Sequence, residues 1–578
     1  MRSAFGSAVV FTGGPGSAFV TTAYDPRTYG WVVVMSLATA LIIWLCTVQA
    51  IGGSSRLFPR ALCALLVIAG LGDREGLLLL VPFLCVLALV RAQSLLRCSL
   101  AVAGLSITAA IDISAKGSMF PLALVACLCA AFCAWHTGHR YLAPVAVIAP
   151  VLAFSVLWVA MGQRLTSVPA YVSGVVDLAQ GYTEAMSWGS PGGDLPLFLV
   201  VGFVGLLAAI SVVLVRGLSL AGRLALGCVL GFTVFTAMKL GFVRADQHMF
   251  ATFSCVAGVI AISMAMTHRR PRTIVAGSGV LLAAATIYFL GSWALPAVAP
   301  IHQGEAVAGV AEALRRLGGA RPALGDQWEV ARANIVAESE IPRLEGRVDT
   351  YSYDQADVLA RDLDWATRPV LQSYSAYSPR LAKLNQDHLT GAAAPNWVLF
   401  APQAIDDRYP SIEDGPTWFT LLKLYRPTGF AGDKAILRRL EAPSGYSALS
   451  YGSTSTAELG QRIALSRTAR LRFVQLNVKP SLLGQAALLL YKTQPLTINV
   501  WTADGLAHRF RLPAGMAESG FLLSPLTEDA EQFSSLYGDT PVVDAAREVV
   551  ALRVDGSDRL WSSTFEYRES LVDVRSAP

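Results

Sequence analysis

Apolar and polar positions divide this chain sharply. Up to about Leu295 it runs as apolar blocks separated by short polar connections, and beyond Ile301 it reads as ordinary globular protein. Ten blocks are long or nearly long enough to cross a bilayer: Gly30 to Gly52, Ala61 to Leu71, Gly76 to Val90, Cys98 to Ile113, Met119 to Trp135, Leu142 to Met161, Leu195 to Val215, Leu224 to Leu240, Met249 to Met266 and Ile274 to Leu295. A spanning helix needs about 20 residues, so the shorter blocks must borrow flanking residues or form half-helices.

From Gly304 the pattern changes. Gly304 to Leu317 predicts a helix with one apolar face. Strand and helix then alternate over Arg347 to Ser352, Tyr353 to Leu363, Pro369 to Ser375, Pro379 to Leu389 and Asn396 to Phe400, with a further strand at Phe419 to Tyr425. This order predicts a small α/β unit with parallel pairing. Past Gly432 the spacing of Arg470 to Val478, Ala486 to Lys492, Leu496 to Thr502, His508 to Leu512, Gly520 to Leu523, Val549 to Val554 and Ser562 to Tyr567 predicts strands of a β-sandwich. The expected organisation is therefore an outer N-terminal loop over residues 1–29, a polytopic α-helical membrane domain of about ten spans over 30–299, an extracytoplasmic α/β domain over 300–430 and a β-rich, sandwich-like domain over 431–578.

Composition supports the membrane reading: 54% of residues are hydrophobic and 15% charged. All nine cysteines lie in the apolar half, where they act as small hydrophobes, and the C-terminal half has no cysteine from which to build disulfides. The net charge of +5 is mild, and no basic, aromatic-interleaved run points to nucleic acid. Loop cations set the orientation. Arg56 and Arg60, Arg91 and Arg97, His139 and Arg140, Arg216 and Arg223, and Arg269 to Arg272 alternate with cation-poor loops, which places the latter and the C-terminal half outside. This orientation also puts the polar stretch Met1 to Tyr29 outside, so either that stretch crosses unaided or, as the favoured reading, a further helix lies upstream.

The candidate chemistry gathers at the outer lip, Lys239 to His248, KLGFVRADQH. Asp246 beside His248 supplies a general base, and Arg244 and Lys239 supply cations for a phosphate. The structural alternative has Arg244 and Asp246 pairing as helix caps while Lys239 snorkels. Asp73 and Glu75 form a second outer acidic loop, and Asp112 sits at membrane depth, where an ionisable group is costly. Amphipathic stretches around Val168 to Met186, including Tyr182, either lie along the membrane beside a lipid-linked substrate or pack against the C-terminal domain. VDTYSYDQ and RPVLQSYSAY place Tyr, Ser and acids at predicted strand ends, a weak ligand signal.

FTGGPGSAFVTTAYDP (Phe11 to Pro26), KLGFVRADQH, GRVDTYSYDQ (Gly346 to Gln355), RPVLQSYSAY (Arg368 to Tyr377) and APNWVLF (Ala394 to Phe400) together resemble a group of bacterial polytopic proteins that look like GT-C type glycosyltransferases with an outer soluble domain. The resemblance implies transfer of a sugar from a polyprenyl-phosphate donor to a glycan or lipid acceptor at the outer face of the plasma membrane. It further implies inverting chemistry, with Asp25 or Asp246 as base and Arg244 and Lys239 on the leaving phosphate. The acidic motif expected ahead of FTGGPG is missing, and Asp25 is the sole acid before the first apolar block. A competing reading is a non-catalytic, membrane-anchored protein that binds or assembles cell-surface polysaccharide. A transporter would show two matching halves with broken helices, and no such symmetry is visible.

Overall fold

The computed structural model describes residues 4–21, 24–51, 74–189, 191–215, 217–246, 248–266, 277–282, 324–468, 470–537 and 544–573. The apolar blocks form a bundle of helices: α1 (Tyr29–Ile51), α2 (Arg74–Val90), α3 (Leu95–Ala115), α4 (Phe120–His136), α5 (Leu142–Ala160), α6 (Val168–Met186), α7 (Pro191–Val213), α8 (Leu220–Val243) and α9 (Met249–Met266). Among the described residues six helices are long and apolar enough to cross a bilayer, namely α1, α3, α4, α5, α7 and α8. The chain is thus a multi-pass membrane protein. The count of ten goes further than these six. The blocks Ala61 to Leu71 and most of Ile274 to Leu295, and the helix expected over Gly304 to Leu317, lie outside the described residues.

Helix is the natural state for these runs, because each backbone N–H and C=O must find a partner within its own segment when lipid surrounds it. Serines start two of them: Ser94 and Ser219 accept from the N–H groups of Arg97 and Gly222. The 17-residue helix α2 is buried along nearly its whole length and packs against α1, α3, α8 and α9. Short partners allow this packing. At Gly104 an added Cβ would lie 3.2 Å from Ile42 and 3.6 Å from the Cys85 sulfur.

The N-terminal FTGGPG loop closes one end of α3, whose last carbonyls have no partner within the helix. Gly16 N–H donates to Ser114 O (2.9 Å), Gly14 N–H to Ala115 O (3.3 Å), and the Tyr171 hydroxyl to Ile113 O (2.8 Å). The loop lies so close that a Cβ on Gly14 would stand 2.3 Å from Ser114 O. The glycines of this motif are therefore required by the fold.

The C-terminal half begins with a five-stranded sheet in the order β2-β1-β3-β5-β4, built from β1 (Arg347–Tyr351), β2 (Asp364–Trp365), β3 (Trp397–Phe400), β4 (Tyr425–Ala431) and β5 (Lys434–Arg439). β1 runs parallel to β2 and β3, as the strand–helix alternation implies, and β5 pairs antiparallel with β3 and β4. This sheet therefore continues past residue 430. Two four-stranded antiparallel sheets follow, β10-β9-β12-β7 and β11-β8-β13-β6. Their strands are β6 (Ser455–Glu458), β7 (Arg462–Ala464), β8 (Leu471–Asn477), β9 (Thr497–Thr502), β10 (Ala507–Arg511), β11 (Phe521–Ser524), β12 (Val549–Asp555) and β13 (Thr564–Val572). Val474, Leu476, Ile498, Val500, Leu552, Val554 and Phe565 fill one core between the sheets.

Three predicted strands are not strands. Pro369 to Ser375 is a loop ending in a 3-10 turn, because Asn385 takes over the backbone of Val370, accepting from its N–H (2.8 Å) and donating to its C=O (3.0 Å). Phe419 to Tyr425 falls mostly in the helix Gly415–Leu424, which buries Trp418, Phe419, Leu421 and Leu422 and so shows no polar face to give away its period. Ala486 to Lys492 falls largely in the helix Leu482–Leu490, started by Ser481, whose side chain accepts from Gly484 N–H.

Candidate functional site

The segment Lys239 to His248 is built where α8 ends. Lys239, one turn from that end, donates to Thr183 Oγ1 (3.0 Å) and to the carbonyls of Leu488 (2.8 Å) and Tyr491 (3.0 Å). Those carbonyls close the Leu482–Leu490 helix, whose last C=O groups carry the negative end of its dipole, so the ammonium serves as its cap. Lys239 thereby ties a membrane helix to the β-rich domain.

Arg244 follows the helix in an extended conformation. Its two terminal nitrogens donate to the two oxygens of Asp406 (2.7 and 3.1 Å), and Nε donates to Asp246 (3.0 Å). This fork geometry is the strongest kind of guanidinium–carboxylate pairing. The second oxygen of Asp246 accepts from His248 N–H (3.0 Å) and lies 2.5 Å from His248 Nδ1. Burial works against the charge on Asp246, but His248 and Arg244 outweigh it and hold the carboxyl down at about 2. Asp246 is thus a stable anion and a weak base.

Asp406 sits among three arginines. Besides Arg244, Arg511 comes within 3.6 Å and Arg408 within 3.9 Å. Arg408 and Arg511 each donate to Ala185 O at 2.7 Å, and Arg511 also donates to Glu184 O (3.0 Å), so both stand on the negative end of α6. The Glu184 carboxylate returns the contact by accepting from Ala514 N–H (2.9 Å). Burial and the neighbouring Arg408 bring Arg511 down to about 10. Lys492 adds a further tie, donating to Trp188 O (2.7 Å) and Asp194 (2.6 Å). Of the two readings open for the Val168 to Met186 stretch, the structure displays the packing one, since α6 meets the C-terminal half along its length, down to Arg380 on Ser173 and Asp177.

The remaining candidates divide. Glu75, in the first turn of α2, pairs with Lys116 at 2.7 Å, and its side chain retains 21% exposure. The Tyr182 hydroxyl stands in the joint field of Arg244, Glu75 and Asp246 and is pushed up, chiefly by burial, while its ring meets Tyr377 edge-on at 6.3 Å. Residues drawn from three separate sequence regions thus converge at the end of the bundle that carries the C-terminal half. Asp25 lies apart, accepting from Arg27 N–H (2.7 Å) at the start of α1, and Arg27 pairs with Asp362 of the α/β unit. Asp73 lies outside the described residues. Asp112 is fully buried, and neither carboxylate oxygen has a hydrogen-bond partner among the described residues. Among those residues no group of three His, Cys, Asp or Glu is placed to hold a metal ion.

The strand-end tyrosines and acids form a buried network. Arg368 bridges Asp349 (2.8 Å) and Asp414 (3.0 Å), and Tyr351 donates to Glu413 O. Sequence reasoning passed over Asp406, Arg408, Arg511 and Glu184. One signal was available: the run Asp406-Asp407-Arg408 places two aspartates at positive φ, 56° and 55°, in a turn that Asp tolerates better than most residues. Comparison with protein-family models, curated proteins and solved structures finds no match to this chain.

Proposed function

We propose that this chain is an integral membrane glycosyltransferase of the GT-C kind, seated in the bacterial plasma membrane with its C-terminal half outside, that transfers a sugar from a polyprenyl phosphate during envelope glycan synthesis. The observation that supports this reading is the hydrogen-bonded cluster of Arg244, Asp246, His248 and Asp406 at the lip between the membrane bundle and the outer domains, whose field reaches the Tyr182 hydroxyl together with that of Glu75. In this scheme Glu75, rather than Asp246 or Asp25, takes the proton of the acceptor hydroxyl. Asp246 is held ionised by His248 and Arg244, whereas Glu75 has a single ionic partner and a partly open carboxylate. Arg244 stays charged beside Asp406 and faces the leaving phosphate, and Tyr182 positions the acceptor hydroxyl.

Glu75→Gln keeps the size of the side chain and removes the base. In native membranes supplied with polyprenyl-phosphate sugars it lowers transfer by about a hundredfold or more, at unchanged protein level. Full transfer by Glu75→Gln would refute the assignment.

A second reading, a non-catalytic glycan-binding protein, is favoured by a cleft of about 280 Å³ on the outer face of the β11-β8-β13-β6 sheet. Gln475, Asn477, Glu518, Glu566 and Arg568 line it, and Gln475 Oε1 and Asn477 Oδ1 are buried with no hydrogen-bond partner among the described residues. Amides and charged groups of this kind suit a polyhydroxyl chain. Retention of the purified protein on envelope polysaccharide, lost in Gln475→Ala/Asn477→Ala while Glu75→Gln leaves the cell's glycan unchanged, would favour this reading over transfer.

A further inference from the structure

The helix Leu482–Leu490, LLGQAALLL, belongs to the β-rich domain yet is apolar on its outside. Leu482 is 85% exposed, Leu489 65%, Leu483 59% and Leu490 58%. At 3.6 residues per turn these four leucines fall within roughly a third of the circumference. Gly484 lies on the opposite side, where a Cβ would stand 1.9 Å from Leu560 O, so the helix presses its glycine side onto the domain and turns its leucines outward. No charged residue occurs between Lys479 and Lys492.

What covers such a face is indicated by where the helix sits. Lys239, at the end of membrane helix α8, caps its C-terminus through Leu488 O and Tyr491 O. The next residue, Tyr491, packs on the membrane core with its ring 4.6 Å from that of Phe198 in α7. Lys492 then bonds Asp194 and Trp188 O beside the same helix end. The C-terminal end of this helix therefore sits against the bundle where α8 ends and α7 begins, with Tyr491 and Trp188 beside it, and its leucines stay exposed. Aromatic and lysine side chains of this kind mark the bilayer interface.

We propose that Leu482–Leu490 is an interfacial helix whose leucines enter the acyl-chain region of the outer leaflet, so that lipid itself is a ligand of the β-rich domain. An amphipathic helix lies in the plane of the interface with a strength that grows with the apolar area it buries there; here the side opposite the leucines is held by the domain itself. This attachment is separate from the ionic contacts of Arg244 and does not depend on any enzymatic role.

The test uses the full chain in nanodiscs of phosphatidylcholine, with or without bromine midway along the acyl chains. Leu489→Trp and, separately, Leu483→Trp add one tryptophan each, and the wild-type signal is subtracted. Leu506→Trp is the control. Leu506 is 58% exposed but lies at the far end of the β9–β10 hairpin from Arg511, which touches α6, roughly 16 Å away at about 3.3 Å per residue. The emission added at residues 483 and 489 loses about half its intensity or more in brominated lipid, as a ring among acyl chains must, while that at 506 is unchanged. Quenching at 483 and 489 no greater than at 506 would overturn the proposal. So would blue-shifted but unquenched emission, which would mean that protein, not lipid, covers the leucines. Both variants keep an apolar side chain, and elution of each as a single species equal to wild type establishes that the fold is intact.

Discussion

Replacing Asp406 by asparagine tests whether the arginine cluster holds the two halves together. The change preserves shape and removes the carboxylate that Arg244, Arg408 and Arg511 share, whose side chains are 17%, 0% and 7% exposed, while Asp246 still faces Arg244 and Glu413 still faces Arg408. Taking one partner from a buried ion pair costs about 3–5 kcal/mol. Because Arg244 reaches some solvent, the lower figure applies, about 3 kcal/mol, which lowers the melting temperature of a unit of this size by about 6–12 °C. Intrinsic tryptophan fluorescence, followed while heating the protein in detergent, reads this directly. Arg244→Met combined with Asp406→Asn completes a double-mutant cycle, and the two changes should show a coupling of about 1 kcal/mol or more, as expected for groups in direct contact. A drop of less than about 2 °C in Asp406→Asn, with additive effects in the cycle, would refute the view that this cluster carries the junction.

Two further outcomes follow from the same structure. Burial pushes Glu413 up to about 7 against the pull of Arg408, so its contribution to stability is complete below its ordinary value and is lost as pH rises through 7; the C-terminal half should melt at higher temperature at pH 5 than at pH 8, and Glu413→Gln should flatten that dependence. Gly14→Ala drives a methyl group into Ser114 O and the Tyr171 hydroxyl (2.7 Å) and should cost about 1–3 kcal/mol, read as a lower melting temperature; a neutral result would mean that the loop does not seat on α3.

The apolar blocks that fall on described residues are all helical, because a run of some twenty apolar residues has few ways to satisfy its backbone in lipid. The strands of the β-rich half were legible for a similar reason: Val474 and Leu476 alternate with polar Gln475 and Asn477, which records a buried face and an open one. The failures fall where that contrast vanishes. WFTLLKL is buried on nearly every side, and AALLLYK is apolar on its exposed side as well as its packed one, so neither run betrays a helical period. At the lip, the sequence pointed to Lys239, Arg244, Asp246 and His248 but could not reveal their partners. Asp406 and the carbonyls of Leu488 and Tyr491 come from chain segments far away, and ordinary backbone carbonyls carry no sequence signature at all.

The bond from Val10 N–H to Pro369 O (2.7 Å) joins the opening loop of the chain to the α/β unit. Synthesis is vectorial, so the loop is made long before its partner exists. The glycine loop can cap α3 once that helix has formed, but it reaches its final state only after every span has been inserted and the α/β unit has emerged. Contacts of such long sequence separation close late and slowly. Maturation of this protein should therefore end at this early-made loop, with protection of the FTGGPG segment from protease marking completion of the junction.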